Sequence, residues 1–233
     1  MGFNYWAKFE DGHFYHLYNR GVNGCNLFYR AYNYAYFLDK WTHYFHPFLK
    51  VYAYCLMPNH FHFLVSPDES SIHNFDTKAF VERKILVQRV ESVRSGQNTF
   101  NEFLELQMKD FFGSYSKAIN KQQGRTGSLF QQRFKRVLIY SEWKLIHKIC
   151  YIHHNPIHHR FCKNYDVWEH SSYTSLVDNK FEKLQLAPTL DLFWSAESGT
   201  QAADSQMQQL NSFIKVHTDF REIPDQTDAI ELD

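Results

Sequence analysis

The sequence predicts an α+β domain built on an antiparallel sheet. Three observations carry that expectation. Residues 13–19 alternate and are aromatic-rich, which suits a half-buried strand. Residues 51–56 and 60–65 also have strand character, and only Met57-Pro58-Asn59 joins them. A link that short joins antiparallel neighbours, so the two form a hairpin. Between and after these strands lie stretches whose apolar residues recur at helical spacing.

Taken in order, the first strand runs into a turn, Arg20-Gly21-Val22-Asn23-Gly24. Aromatic and leucine spacing over residues 32–45 predicts a helix that Pro47 ends. The hairpin follows. Residues 67–100 are charged, rich in Ser and Asn, and interrupted by Gly96. They read as an insertion without visible chemistry, with an exposed helix expected over 80–93. Leu104, Met108, Phe111, Phe112, Tyr115 and Ile119 mark a long amphipathic helix over 103–122. A basic loop, Gly124-Arg125-Thr126-Gly127-Ser128, leads to a strand over 134–140. Ser141 has the character of an N-cap, with Glu142 in the first turn. The helix it opens is expected to close at Asn155, because proline disfavours helical geometry in the residue before it. The domain is therefore bounded at 1–176, and 177–233 reads as an acidic, weakly patterned extension, partly disordered.

Composition bounds the function. With 233 residues, 44% hydrophobic and 18% aromatic, a packed core is available. No apolar run approaches the ~20 residues of a spanning helix, and Met1–Lys8 lacks the pattern of a signal peptide, so no membrane partner is expected. Cys25, Cys55, Cys150 and Cys162 form no CxxC pair and suit reduced thiols in a cytoplasmic protein. The net charge of zero conceals an asymmetry. Residues 113–163 hold 10 basic side chains and one acidic one, whereas 164–233 hold 4 basic and 13 acidic. A basic block of that density is the electrostatic footprint of phosphate binding, although a solvated helical face has the same composition. Lys117, Lys121, Arg125, Arg133, Lys135, Arg136, Lys144 and Lys148 are the candidate nucleic-acid contacts within it.

Two constellations could carry chemistry. In Met57-Pro-Asn-His60-Phe61-His62-Phe63-Leu-Val65, strand alternation puts His60 and His62 on one face and Phe61, Phe63 and Val65 on the other. Two imidazoles on one face suit a divalent metal; two ordinary histidines on a half-exposed strand give the same pattern. Zinc suits imidazole, but no cysteine pair completes a structural zinc site. Two histidines plus an amide oxygen leave positions open for water and phosphate, which suits Mg²⁺ or Mn²⁺. The second constellation is Tyr151-Ile-His-His-Asn155-Pro156. Helical spacing groups Leu145, Ile146, Ile149, Ile152 and His153 on one stripe. Lys144, His147, Lys148, Tyr151 and Asn155 fall on the other, which places Tyr151 on the polar side. A tyrosine in a cationic field suits a nucleophile, and a surface tyrosine that only hydrogen-bonds fits the same place.

Five segments in order carry a resemblance. They are Tyr15-His-Leu-Tyr-Asn19-Arg20-Gly21, residues 54–65, Arg125-Thr-Gly-Ser-Leu-Phe130, Tyr151-Ile-His-His-Asn-Pro156 and Trp168-Glu-His-Ser-Ser-Tyr173. Over residues 13–176 the chain resembles the HUH single-tyrosine transposases, most of all their REP-associated branch. The resemblance implies a ferredoxin-like fold, an antiparallel sheet with helices packed on one face. It implies His60, His62 and Asn155 as metal ligands and Tyr151 as the nucleophile. The implied activity is cleavage and rejoining of single-stranded hairpin DNA through a 5′-phosphotyrosine, with Mg²⁺ or Mn²⁺, in a bacterial cytoplasm at the nucleoid. It admits a homodimer and a monomer alike. The rival readings are a single-stranded nucleic-acid-binding module of the same fold without catalysis, a nuclease that uses water in place of Tyr151, and a domain stabilised by zinc. His158 and His159 have no assigned role.

Overall fold

The computed structural model describes residues 5–178, 184, 186–198 and 206–222. In chain order, β1 (Phe14–Arg20), α1 (Ala31–Phe45), β2 (Leu49–Met57) and β3 (His60–Pro67) lead to α2 (Ser70–Asn74), α3 (Lys84–Arg94) and α4 (Phe100–Gln123). Then come β4 (Lys135–Ile139), α5 (Glu142–His158), α6 (Ser172–Val177), α7 (Thr189–Ser198) and α8 (Gln206–Glu222). The sheet order is β2-β3-β1-β4, with every pair of neighbours antiparallel. With β1 and β3 central and α1 and α4 as the crossovers, this is the expected ferredoxin-like arrangement.

Strand alternation divides the sheet into two unlike faces. Phe61 and Phe63 project to an aromatic core under α1 and α4. There Trp41 stacks flat on Phe63, with ring centroids 3.9 Å apart, and Phe37 packs between Phe61 and Phe111. His16 and Tyr18 of β1 and His60 and His62 of β3 project to the opposite face. The register sets Tyr18 beside His62 and Arg20 beside His60. Helices are not confined to the aromatic face, because α5 lies over the histidine face, with the Tyr151 ring against His16 and His62.

Local chemistry explains several boundaries. Helix α4 starts earlier than its apolar spacing suggests because Thr99 and Glu102 form a reciprocal capping box. Gly124, with φ of 61°, closes it in the left-handed conformation. Gly21 has no room for a side chain, since a Cβ there would lie 1.9 Å from the Cys25 carbonyl oxygen. Its N–H meets the Asn59 carbonyl at 2.7 Å and so fixes the link between β2 and β3.

The expected stop at Asn155 does not hold, and α5 continues through Pro156 to His158. The proline removes the N–H that would meet the Ile152 carbonyl, and in the same turn the Asn155 amide donates to the Tyr151 carbonyl at 3.1 Å. The insertion at 67–100 is held to the core. Leu86 and Val90 are buried, and Arg89 bonds Gln107 and Asp110 of α4. The tail is more ordered than its composition suggests. Helices α7 and α8 pack on each other and on α5, burying Phe193, Phe213 and His217. Within 177–233, residues 179–183, 185, 199–205 and 223–233 lie outside the described residues. The edge of β2 is covered by the chain after α5. The Leu56 N–H donates to the His170 carbonyl, the Trp168 indole N–H donates to the Leu56 carbonyl, and the Ala187 N–H donates to the Val51 carbonyl.

Candidate active site

The histidine face and α5 enclose a cavity of about 110 Å³ lined by His16, Tyr18, His60, His62, Tyr151 and His159, with Asn19, Arg20, Gln131, Gln132, Arg133 and Lys135 at its sides. Tyr151 and both histidines of the hairpin therefore share one small chamber. The Tyr151 ring lies 5.8 Å from that of His62, edge to face. The polar stripe of α5 is thus turned inward. Tyr151 is 2% exposed and Asn155 1%, so the surface tyrosine that the polar, cationic stripe left open is ruled out. The reason is the partner surface: the sheet face under α5 is itself polar, so the helix meets it with polar groups. The other stripe is covered as well, with His153 against His217 and Phe213 of α8.

Hydrogen bonds fix the orientation of the central groups. His60 Nδ1 lies 2.7 Å from Asn59 Oδ1, an acceptor only, so this nitrogen carries the proton. His60 Nε2 then presents its lone pair towards Asn155 Oδ1, 3.4 Å away. Asn155 Oδ1 is free to face it because the amide nitrogen is engaged with the Tyr151 carbonyl. His62 Nδ1 lies 2.9 Å from His16 Nε2, and the two rings stack at an interplanar angle of 14°. His62 Nε2 is buried and has no hydrogen-bond partner among the described residues. Burial holds the His62 pKa well below the ordinary histidine value, and His16, His60, Lys148 and His159 push it the same way. Burial, then Lys148, does the same to His16. Both rings are neutral at pH 7.

This donor set fits a divalent cation. A buried imidazole nitrogen with no partner and two electron-rich atoms facing each other without a proton between them are what a cation satisfies. Among the described residues no group of three or more His, Cys, Asp or Glu side chains is set to hold a metal, so the set here is two histidines and an amide oxygen. The bond from His60 Nδ1 to Asn59 has the form of the outer hydrogen bond that orients a histidine when it ligates a metal.

The cationic candidates divide. Arg133 and Lys135 line the chamber. Lys135 Nζ lies 5.3 Å from the ring centroids of both Tyr5 and Tyr18, and the Arg133 guanidinium lies 5.7 Å from that of Trp6. Arg133 has φ of 61°, a conformation uncommon for a residue other than glycine. Lys148 Nζ sits over the Tyr151 ring, 4.5 Å from its centroid. Lys117, Lys121 and Lys144 are exposed and Arg125 is half-buried, and none of the four lines the chamber. Arg136 is a correction. It is buried, bonded to Glu105 at 2.6 Å and stacked on Phe9 at 4.5 Å. Strand alternation sends Lys135 to the histidine face and its neighbour Arg136 to the other, where the fold uses it.

Sequence reasoning missed His16, Tyr18 and His159. The first two were legible, since His16, Tyr18 and Arg20 repeat at the same two-residue interval as His60 and His62. His159 comes within 5.1 Å of the His60 ring only because α5 runs past Pro156.

Comparison with known proteins returns no matching family model and no matching curated relative. Among solved structures, a REP-associated tyrosine transposase bound to a REP hairpin matches with a TM-score of 0.49 and 16% identity, over 81% of this chain and 93% of that one. No helix among the described residues is long and apolar enough to cross a membrane.

Proposed function

We propose that this chain is a metal-dependent single-strand DNA endonuclease and strand transferase of the HUH type, the activity that its sequence resemblance implies. The observation that carries the reading is the shared chamber, in which a buried tyrosine faces two histidines whose outward nitrogens, with an asparagine oxygen, form a donor set suited to a divalent ion. Arg133 and Lys135 bind backbone phosphates at the mouth, so affinity falls with salt. His60, His62 and Asn155 would hold Mg²⁺ or Mn²⁺, which when bound supplies Lewis-acid polarisation of the scissile phosphate. Lys148 holds the Tyr151 ring in place from above.

The Tyr151 phenolic oxygen bonds to phosphorus as the P–O3′ bond breaks, and the proton that the phenol gives up to water is balanced by the one that the departing O3′ takes from water. The products are a 5′-phosphotyrosine and a free 3′-hydroxyl. Because the ester keeps the bond energy, a 3′-hydroxyl can reverse the step and join strands without ATP.

The test is a denaturing gel of the protein with labelled hairpin DNA and Mg²⁺ or Mn²⁺, against chelator. A metal-dependent shifted band that Tyr151→Phe removes is the expected result. Cleavage without an adduct would assign the chain to hydrolytic nucleases, and retention of DNA without cleavage would assign it to binding modules.

A further inference from the structure

Nothing in the proposed chemistry so far uses His16. It is buried on β1, two residues before Tyr18, and its Nε2 lies 2.9 Å from His62 Nδ1. Tyr18 stacks on both rings, at 4.8 Å from His16 and 5.8 Å from His62, so neither imidazole can turn away from the other. Between two neutral imidazoles one proton lies on the shared bond, and its owner decides what His62 presents to the chamber. If His16 donates, the proton of His62 sits on Nε2, a buried N–H without an acceptor among the described residues, which is unfavourable. If His62 donates from Nδ1, its buried Nε2 carries a lone pair that needs no hydrogen-bond acceptor. Orphaned buried N–H groups are the rarer of the two outcomes in proteins.

We propose that His16 is a positioning residue that accepts the His62 Nδ1 proton and thereby holds His62 in the one tautomer able to ligate a metal through Nε2. The inference rests on the reading of His60, His62 and Asn155 as a metal site. It makes β1 a third contributor to that site beside β3 and α5. Asn59 and His16 then act as a matched pair, each accepting the Nδ1 proton of one ligating histidine. Imidazole alone favours the Nε2–H tautomer, so a chain without the His16 acceptor has to pay for the switch each time it takes up the ion.

The experiment is calorimetric titration of the full chain with MnCl₂, for wild type, His16→Phe and His16→Gln. It is paired with ¹⁵N NMR of the histidine side chains in the metal-free protein. Wild type is expected to carry the His62 proton on Nδ1. His16→Phe keeps a flat ring but no acceptor and should weaken Mn²⁺ binding about 10- to 100-fold. His16→Gln supplies an amide oxygen as acceptor and should bind within about threefold of wild type. Unchanged affinity in His16→Phe overturns the proposal, as does a His62 proton on Nε2 in wild type. If His16→Phe does not fold, the wild-type spectrum and the His16→Gln affinity decide, with a loss in His16→Gln as large as 10-fold counting against it. Wild type that takes up no Mn²⁺ removes the metal site itself, a different failure from a metal site indifferent to His16.

Discussion

The molecule holds two buried histidine pairs, each joined by a ring-to-ring hydrogen bond of 2.9 Å, and they are built to opposite ends. In the pair His153–His217 every nitrogen is occupied. His217 Nδ1–H donates to the Phe213 carbonyl at 2.8 Å, and His153 Nδ1–H donates to His217 Nε2. The Ser172 hydroxyl lies 2.8 Å from His153 Nε2, and its oxygen accepts the Tyr54 N–H at 2.8 Å. That chain of donors and acceptors pins α8 and the start of α6 to α5 and β2. In the pair His16–His62 one fully buried nitrogen, His62 Nε2, has no hydrogen-bond partner among the described residues, and both rings line the chamber that Tyr151 also lines. A closed network stabilises; an open one leaves an electron pair for something the polypeptide does not provide.

Substitutions separate the two. His62→Ala should abolish Mn²⁺ binding and the covalent adduct, a loss of at least about 100-fold, beyond the stability lost to the cavity it opens beside His16. His217→Ala should act on stability alone. It leaves the His153 N–H without its acceptor and opens a cavity, costing about 2–4 kcal/mol in urea unfolding with Mn²⁺ affinity unchanged. If His217→Ala lost the metal, the contrast would collapse.

Acid should act on both pairs. Burial lowers the pKa of His217 to about 3, with His154 pushing the same way and the bond to Phe213 opposing, and holds His153 and His62 well below the ordinary value of 6.5. The unfolded chain therefore binds these protons first. Above pH 6.5 there is no penalty. Below it, stability falls by up to about 1.4 kcal/mol per pH unit for each buried histidine, levelling off beneath the folded-state pKa near 3 for His217. Unfolding midpoints between pH 7 and 4 check this, and a flat profile would mean that the rings are not buried neutral. Ser172→Ala removes the hydroxyl that closes the structural pair and should cost about 1–3 kcal/mol, again without touching the metal. The smallest effect is expected at Lys135→Gln, a few-fold loss of DNA affinity with the salt slope reduced by about one, whereas Arg136→Gln should lower stability and leave DNA affinity alone.

Alternation made His60, His62 and their apolar neighbours legible, and helical spacing put Asn155 one turn from Tyr151. The same two-residue interval could have drawn in His16 and Tyr18, and it separates Lys135 from Arg136 once the strand is known. Thr99 and Glu102 announced the true start of α4. Phe213, His217 and Phe220 recur at helical spacing in the tail, but the Ser- and Gln-rich surroundings hid a buried face. Helix α5 showed two stripes, and the spacing left open whether Tyr151 on the polar one meets solvent or a site; it is buried because the surface it meets is polar too.

By itself the sequence determined the strands, helices α1, α3, α4 and α5, the pairing of the hairpin and the two histidines that share a face, because those follow from local periodicity and short links. Only the tertiary structure decided that Tyr151 is buried over those histidines, that His16 lies within hydrogen-bond reach of one of them, and that Arg136 is buried against Glu105 and Phe9. Which surface a stripe meets depends on elements far away in the chain, and no local spacing records it.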